Sequence, residues 1–256
     1  MQHSFIDRYS DIGSFIHRLD PRVKIISTVF LIIAVVFTKP TSFFAFLLYA
    51  FVIGILLSLS KIPRGYIFRQ SLVIVPFVLM IAVFIPFFKE GEVAGGYSFG
   101  TFELNITYDG LAVLWNVLVK SYLSILCMIL LISSTEFSVF LKALQKLRFP
   151  TILVMVLSFM YRYIFVIVDE LMKMKQARDA RAVGGSQWFR IKTVANMIGT
   201  LFIRSYERAE SVYMAMRSRG FTGSLNTICD FRIKNRDVFF LFAVTGILVL
   251  IKVAVG

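Results

Sequence analysis

Residues Ser42–Ser60 read SFFAFLLYAFVIGILLSLS, and this stretch decides the fold class. It carries no charge over a length that matches the roughly 20 apolar residues a helix needs to cross a hydrocarbon core about 30 Å thick. Reading outward, four more stretches have the same character: Pro21–Thr38, Ser71–Phe88, Leu111–Ser133 and Val238–Val255. The whole chain agrees with them. Of 256 residues, 58% are hydrophobic and 27 are Phe, while only 17% are charged. A soluble domain averages about 45–50% apolar residues. This composition excludes a disordered chain and implies an all-α polytopic membrane protein of about five transmembrane helices. The first 20 residues are too polar to form the apolar region of a cleavable signal peptide.

The first span has a defined start. Asp20 is placed to cap the helix and Pro21 to open it, where a missing N–H costs nothing. Arg22 and Lys24 then fall at the membrane interface. Lys120 lies inside the fourth span. A charge there faces the bundle interior or water, so it either marks a pathway or snorkels and pairs within the bundle.

Charge separates the connecting segments. The loop after Ser60 holds Lys61, Arg64 and Arg69, whereas Lys89–Gly110 sets Lys89 against Glu90, Glu92, Glu103 and Asp109. Short strands around Tyr97–Tyr108, with Gly turns, suggest a small hairpin in that acidic segment. Ser134–Arg236 holds 17 Lys and Arg against 7 Asp and Glu. Cationic loops stay cytoplasmic. The rule therefore puts the N-terminus and the Ser134–Arg236 segment inside, and the acidic loop and C-terminus outside. The net charge of +13 reads as topological, and no nucleic-acid partner is expected. The chain divides on this reading into 1–133 with the first four spans, 134–236 as a cytoplasmic and interfacial region, and 237–256 as a final span.

The 134–236 region holds the most information. Glu136–Leu147 is amphipathic, with Phe137, Phe140, Leu141, Leu144 and Leu147 at i, i+3, i+4, i+7 spacing and Lys142 and Lys146 opposite. Ser133 and Glu136 have capping-box spacing. Thr151–Val168 is long and apolar enough to span, but both its flanks are cationic and Arg162 sits in its middle. It reads as a helix dipping into the bilayer or packing beneath the other spans. Asp169–Ala182 reads as a further helix stopped by Gly184-Gly185. Trp188–Phe202 is amphipathic with interfacial aromatics at its start, and Ser205–Arg219 is a helix stopped by Gly220, a residue that takes positive φ at little cost.

Two of these helix ends share a layout: Ala180-Arg181-Ala182 and Ser218-Arg219-Gly220. The two arginines are 38 residues apart. Cations suit helix C-termini through the dipole, which accounts for either Arg alone. The repetition suggests a pair of cationic tips. A guanidinium can grip a partner carboxylate in bidentate fashion or donate to carbonyls, and small flanking residues allow close approach.

With Ile6-Asp7-Arg8-Tyr9, His17-Arg18-Leu19-Asp20-Pro21-Arg22-Val23-Lys24, Tyr161-Arg162-Tyr163 followed by Asp169-Glu170, and the two Arg tips in order behind four spans, the chain resembles the EcfT/CbiQ family, the transmembrane T component of energy-coupling factor (ECF) transporters. The likeness runs from the N-terminus to about Phe221. Its one departure is Ala182 where Gly is common. The resemblance implies a coupling subunit of an ECF-type ABC importer. It implies two cytoplasmic ABC-type ATPase subunits as partners, and a separate substrate-binding membrane subunit (an S component, or a CbiM/CbiN-like protein). It implies that Ala180, Arg181, Ala182, Ser218, Arg219 and Gly220 lie on the helices that dock into the ATPases, in a prokaryotic cell membrane. The opening looks more like the cobalt branch, so cobalt or nickel is the expected cargo, with a vitamin as the alternative.

No catalytic group and no cofactor are expected in this chain. There is no GxxxxGK[ST] phosphate loop, so ATP hydrolysis must belong to a partner. Cys127 and Cys229 lack metal or disulfide spacing, and His3 and His17 give no ligand cluster; His17 reads as a packing or capping residue. Two other classes remain in view. A lipid-modifying enzyme would use Asp169, Glu170, Glu207 and Glu210, although carboxylates on such helices commonly pair with a Lys or Arg a turn away, as Glu170 could with Lys173. A self-sufficient permease would be built around Lys120.

Overall fold

The computed structural model describes residues 13–40, 42–88, 93–99, 102–181, 186–223, 231 and 234–255. Ile6-Asp7-Arg8-Tyr9, His3, Ala182, Gly184-Gly185 and Cys229 lie outside them. The described residues form two compact units. The core unit falls within 4–140 and 230–256, and the arm unit within 141–229.

The core unit contains α1 (Pro21–Val36), α2 (Phe43–Ser60), α3 (Arg64–Ala82), the short α4 (Ile85–Phe88), β1 (Val93–Phe99), β2 (Phe102–Thr107), α5 (Tyr108–Ser134) and α9 (Asn235–Val255). Helix α6 (Phe137–Lys146) carries the chain onward into the arm unit, which holds α7 (Thr151–Ala180) and α8 (Gln187–Ser218). The two strands form the expected hairpin, antiparallel with Tyr97 opposite Leu104 and an irregularity between Val93 and Gly95.

Among the described residues, five helices are long and apolar enough to cross a membrane: α2, α3, α5, α7 and α9. This agrees with the expected number but not with the expected set. Helix α1 falls outside the set by its length, 16 residues ending at Val36, while α7 falls within it. Thr151–Val168 and Asp169–Ala182 are not separate elements. They are one continuous helix of 30 residues, α7. Trp188–Phe202 and Ser205–Arg219 likewise merge into α8, 32 residues long. Nothing between the members of either pair removes a backbone donor or forces an unusual φ, so the hydrogen-bond ladder continues.

The core lies where α1, α2, α5 and α9 meet. Val35, Tyr49, Ile53 and Cys127 are all almost fully enclosed there, with Leu123, Val244 and Ile251 around them. Helix α1 begins as its sequence dictates: Asp20 Oδ1 accepts from the Arg22 N–H at 2.9 Å, and Pro21 stands in the first turn. Its far end is closed by Lys120 of α5, whose Nζ donates to Val36 O at 2.9 Å and Thr38 O at 2.7 Å. Lys120 therefore pairs within the bundle. The third apolar stretch breaks after Ala82, and Pro86 then packs against the start of α5. A Cβ at Gly110 would lie 2.6 Å from Pro86 Cα, while Thr107 Oγ1 donates to Pro86 O at 3.1 Å. Only glycine fits there. Gly110→Ala is expected to destabilise the folded protein by about 1–3 kcal/mol, the usual cost of overpacking, read as a lower thermal midpoint in detergent.

Candidate functional site

The arm unit presents the two arginine tips. Arg181 is the C-cap of α7 and Arg219 the C-cap of α8, so each stands just past the last helical residue. Ala180, Arg181, Ser218, Arg219 and Gly220 are all exposed. The α8 end is a double turn of known geometry. Gly220 has φ 79°; its N–H donates to Arg217 O at 3.0 Å, and the Phe221 N–H donates to Met216 O at 3.1 Å. This is the Schellman arrangement, in which a left-handed residue lets the chain close back on orphan carbonyls. Ser218 Oγ donates to Met214 O at 2.9 Å, which leaves the Arg219 guanidinium as the projecting group. At the α7 end, the Arg181 N–H donates to Arg178 O at 3.0 Å, and Arg178 and Asp179 form an exposed ion pair at 2.7 Å.

The structure keeps the two tips apart. At 1.5 Å of rise per residue, the 32 residues of α8 span about 48 Å. Arg181 precedes the start of α8 and Arg219 follows its end. The six chain steps from Arg181 to Gln187 reach at most about 21 Å, so the arginines are separated by at least about 25 Å. One small ligand cannot touch both. Two separate protein sites can.

An ion pair bridges the helices that bear the tips, Arg204 Nη1 with Glu170 Oε1. Glu170 therefore reaches across to α8 rather than to Lys173 on its own helix. Between the helices runs a groove of about 770 Å³, lined by Phe159, Met160, Tyr163, Val166, Leu201, Val212 and Met216, with Glu170, Arg204, Glu207 and Arg208 among its polar members. The outer faces of both helices are apolar and uncovered. Trp188 is 75% exposed and Phe202 71%. Helix α8 buries no residue and α7 only Val154.

Residues proposed for other chemistries are dispersed. Among the described residues, no three His, Cys, Asp or Glu side chains come together. His17 sits in the core unit, its Nδ1 2.6 Å from Ser14 Oγ and its Nε2 3.3 Å from Ser133 O. It packs and caps, as its sequence setting suggested. Ser133 is not the cap of α6. It lies in the last turn of α5 because the apolar run stays helical to Ser134. Glu136 takes the capping place, its carbonyl accepting from the Phe140 N–H at 2.9 Å and its carboxylate from Ser138 Oγ at 2.7 Å.

Comparison with known proteins matches residues 13–228 to a family of cobalt transport proteins, CbiQ. The chain is 30% identical to the energy-coupling factor transporter transmembrane protein EcfT of Listeria innocua, over 100% of this chain and 97% of that one. It is 29% identical to EcfT of Bacillus subtilis, over 87% of this chain and 86% of that one. It is also 28% identical to an uncharacterised protein of Methanocaldococcus jannaschii, over 97% of this chain and 87% of that one.

Gly220→Ala should loosen the α8 end, because a Cβ is costly at φ 79° by about 1 kcal/mol. Limited trypsin digestion should then cut after Arg217 and Arg219 faster than in the unaltered protein, with the core unit unaffected.

Proposed function

The chain belongs to the CbiQ family, as the non-catalytic transmembrane component of an energy-coupling factor transporter, and we propose that Arg181 and Arg219 are its contacts with two ABC-type ATPase subunits. The observation that carries this reading is the placement of two exposed arginines at the ends of two long helices, at least about 25 Å apart by the geometry of α8. One ATPase subunit takes each tip. Closure of the ATPases on ATP displaces the tips, and α7 and α8 convert that displacement into motion against a substrate-binding membrane subunit. Ligand-driven motion requires contacts that differ between the two states; the guanidinium forks supply them, through carboxylates or carbonyls of the partner. The small residues Ala180, Ala182, Ser218 and Gly220 keep the approach open.

The uncovered apolar faces of α7 and α8 support the second partner. Apolar patches beyond a few hundred Å² mark a protein or membrane interaction site, and Trp188, Phe202 and Ile198 form such a surface for a membrane-embedded protein. Cationic residues flank α7 at both ends, Lys142, Lys146 and Arg148 before it and Arg178 and Arg181 after. By the positive-inside rule both ends are cytoplasmic, so the helix lies along or under the membrane rather than across it. The protein resides in a prokaryotic cell membrane with its N-terminus and arm unit inside. Cobalt or nickel is the cargo, held by the substrate-binding subunit; a vitamin is the alternative.

Purification of the tagged chain from its native membrane should recover two ATPase subunits and a small membrane protein. A metal-ligand-rich partner would support cobalt or nickel, and a vitamin-binding one the alternative. Arg181→Ala or Arg219→Ala should lower transport by about 5- to 150-fold, the span of a typical coupling free energy of about 1–3 kcal/mol, without unfolding the chain. Normal transport by both variants with the ATPases still bound, or recovery of the chain alone, would overturn the reading.

A further inference from the structure

Helix α5 ends at Ser134, and Thr135 is extended at φ −140°, ψ 121°. Only Glu136 then separates it from α6, which leads into the arm unit at Leu141. The last carbonyls of a helix have no partner within it. At the end of α5 two of them are taken by side chains more than a hundred residues away. Lys24 Nζ donates to Ser134 O at 2.8 Å, and also to His17 O at 3.1 Å. His17 Nε2 stands 3.3 Å from Ser133 O. A carbonyl can only accept, so Nε2 carries the proton, and the Ser14 hydroxyl 2.6 Å from Nδ1 fixes the ring.

This clamp is itself anchored. Asp20, four residues before Lys24, donates its N–H to Asp237 Oδ1 of α9 at 3.2 Å, while Asp237 Oδ2 accepts from the Lys234 N–H at 2.8 Å. Lys24 is 5% exposed, Asp237 4% and Ser134 3%. Burying a cation costs several kcal/mol, and an apolar side chain of similar volume is often no less stable. Stability alone therefore does not call for Lys24. Its location does: the bonds hold the last turn of α5, from which the chain passes to the arm unit.

We propose that Lys24 and His17 are positioning residues for the transport step, fixing the end of α5 so that displacement arriving through α6 moves the core unit as a body. Without the clamp, the displacement unwinds the last turn of α5 and is lost there. The inference rests on the coupling role proposed above, and its test separates the two.

The experiment uses the full complex with its ATPases. Spin labels are placed at Lys146→Cys on α6 and Phe37→Cys beyond α1, both exposed positions, in a Cys229→Ser background. The label–label distance is measured by pulsed electron resonance with and without an ATP analogue, which needs no knowledge of the cargo. The unaltered complex and Lys24→Arg should hold this distance steady between the two nucleotide states, because α6 and the core unit then move together. Lys24→Met, which keeps the volume and removes both donated bonds, should gain a nucleotide-dependent change in distance while retaining its ATPases and their hydrolysis rate. Should Lys24→Met fail to assemble, Ser14→Ala, which removes only the hydroxyl beside His17 Nδ1, should assemble and show a smaller change of the same kind. A distance that stays steady in Lys24→Met, or in Ser14→Ala if Lys24→Met fails to assemble, overturns the clamp, as does a change of equal size in the unaltered complex. Loss of ATPase binding in every variant would assign these residues to stability alone and also overturn it. Failure of the unaltered chain to bind the ATPases overturns the coupling role itself.

Discussion

A helix leaves its final carbonyls without partners, and in apolar surroundings each one costs free energy comparable to a lost hydrogen bond. The core unit meets this constraint by exchange. Lys24, near the start of α1, donates to the end of α5, and Lys120, within α5, donates to the end of α1. Each helix thus closes the other, and the pair must run antiparallel with one fixed offset. A cation at a helix C-terminus also opposes the partial negative charge gathered there. Helix α2 packs against the same pair, with the Phe46 ring 6.0 Å from Lys120 Nζ. Helix α9 is tied in through Asp237 and the backbone of Asp20. Displacing either lysine would leave carbonyls at a helix end unpaired.

The arm unit is built on the opposite plan. Helices α7 and α8 are long, bury almost nothing within the chain, and are bridged by the ion pair of Glu170 with Arg204. That pair is largely exposed on the Arg204 side, and such pairs contribute at most about 1 kcal/mol. Few buried contacts allow a segment to change its arrangement at low cost. Its apolar faces match an environment of lipid rather than water. The rigid element and the adaptable one are joined through α6, and the lysine clamp stands where the rigid part ends.

Much of this was legible in the chain, element by element. The start of α1 follows from Asp20 and Pro21 alone, because a cap is a local bond between neighbours. Gly220 announced the end of α8 for the same reason: only glycine takes its φ cheaply. The Ser133–Glu136 capping box misled, because both α5 and α6 offered a claim on Ser133 and the longer apolar run prevailed. Splitting α7 and α8 into two elements each also misled. A change from apolar to polar composition at Asp169 or Ser205 marks a change of surroundings, and a helix passes through it unbroken.

The sequence by itself determined the membrane class, the helical architecture, the hairpin and the two arginine tips. All of these rest on composition, periodicity and bonds between near neighbours. Only the tertiary structure decided where the lysines of α1 and α5 go. Lys24 and Lys120 bind backbone carbonyls 82 to 110 residues away, and Glu170 takes Arg204 over the nearer Lys173. A backbone carbonyl is the same in every residue, so no side-chain pattern marks it as a partner. The separation of the two tips was equally hidden until α8 proved to be one unbroken helix, because distance along a chain becomes distance in space only when the intervening residues are rigid.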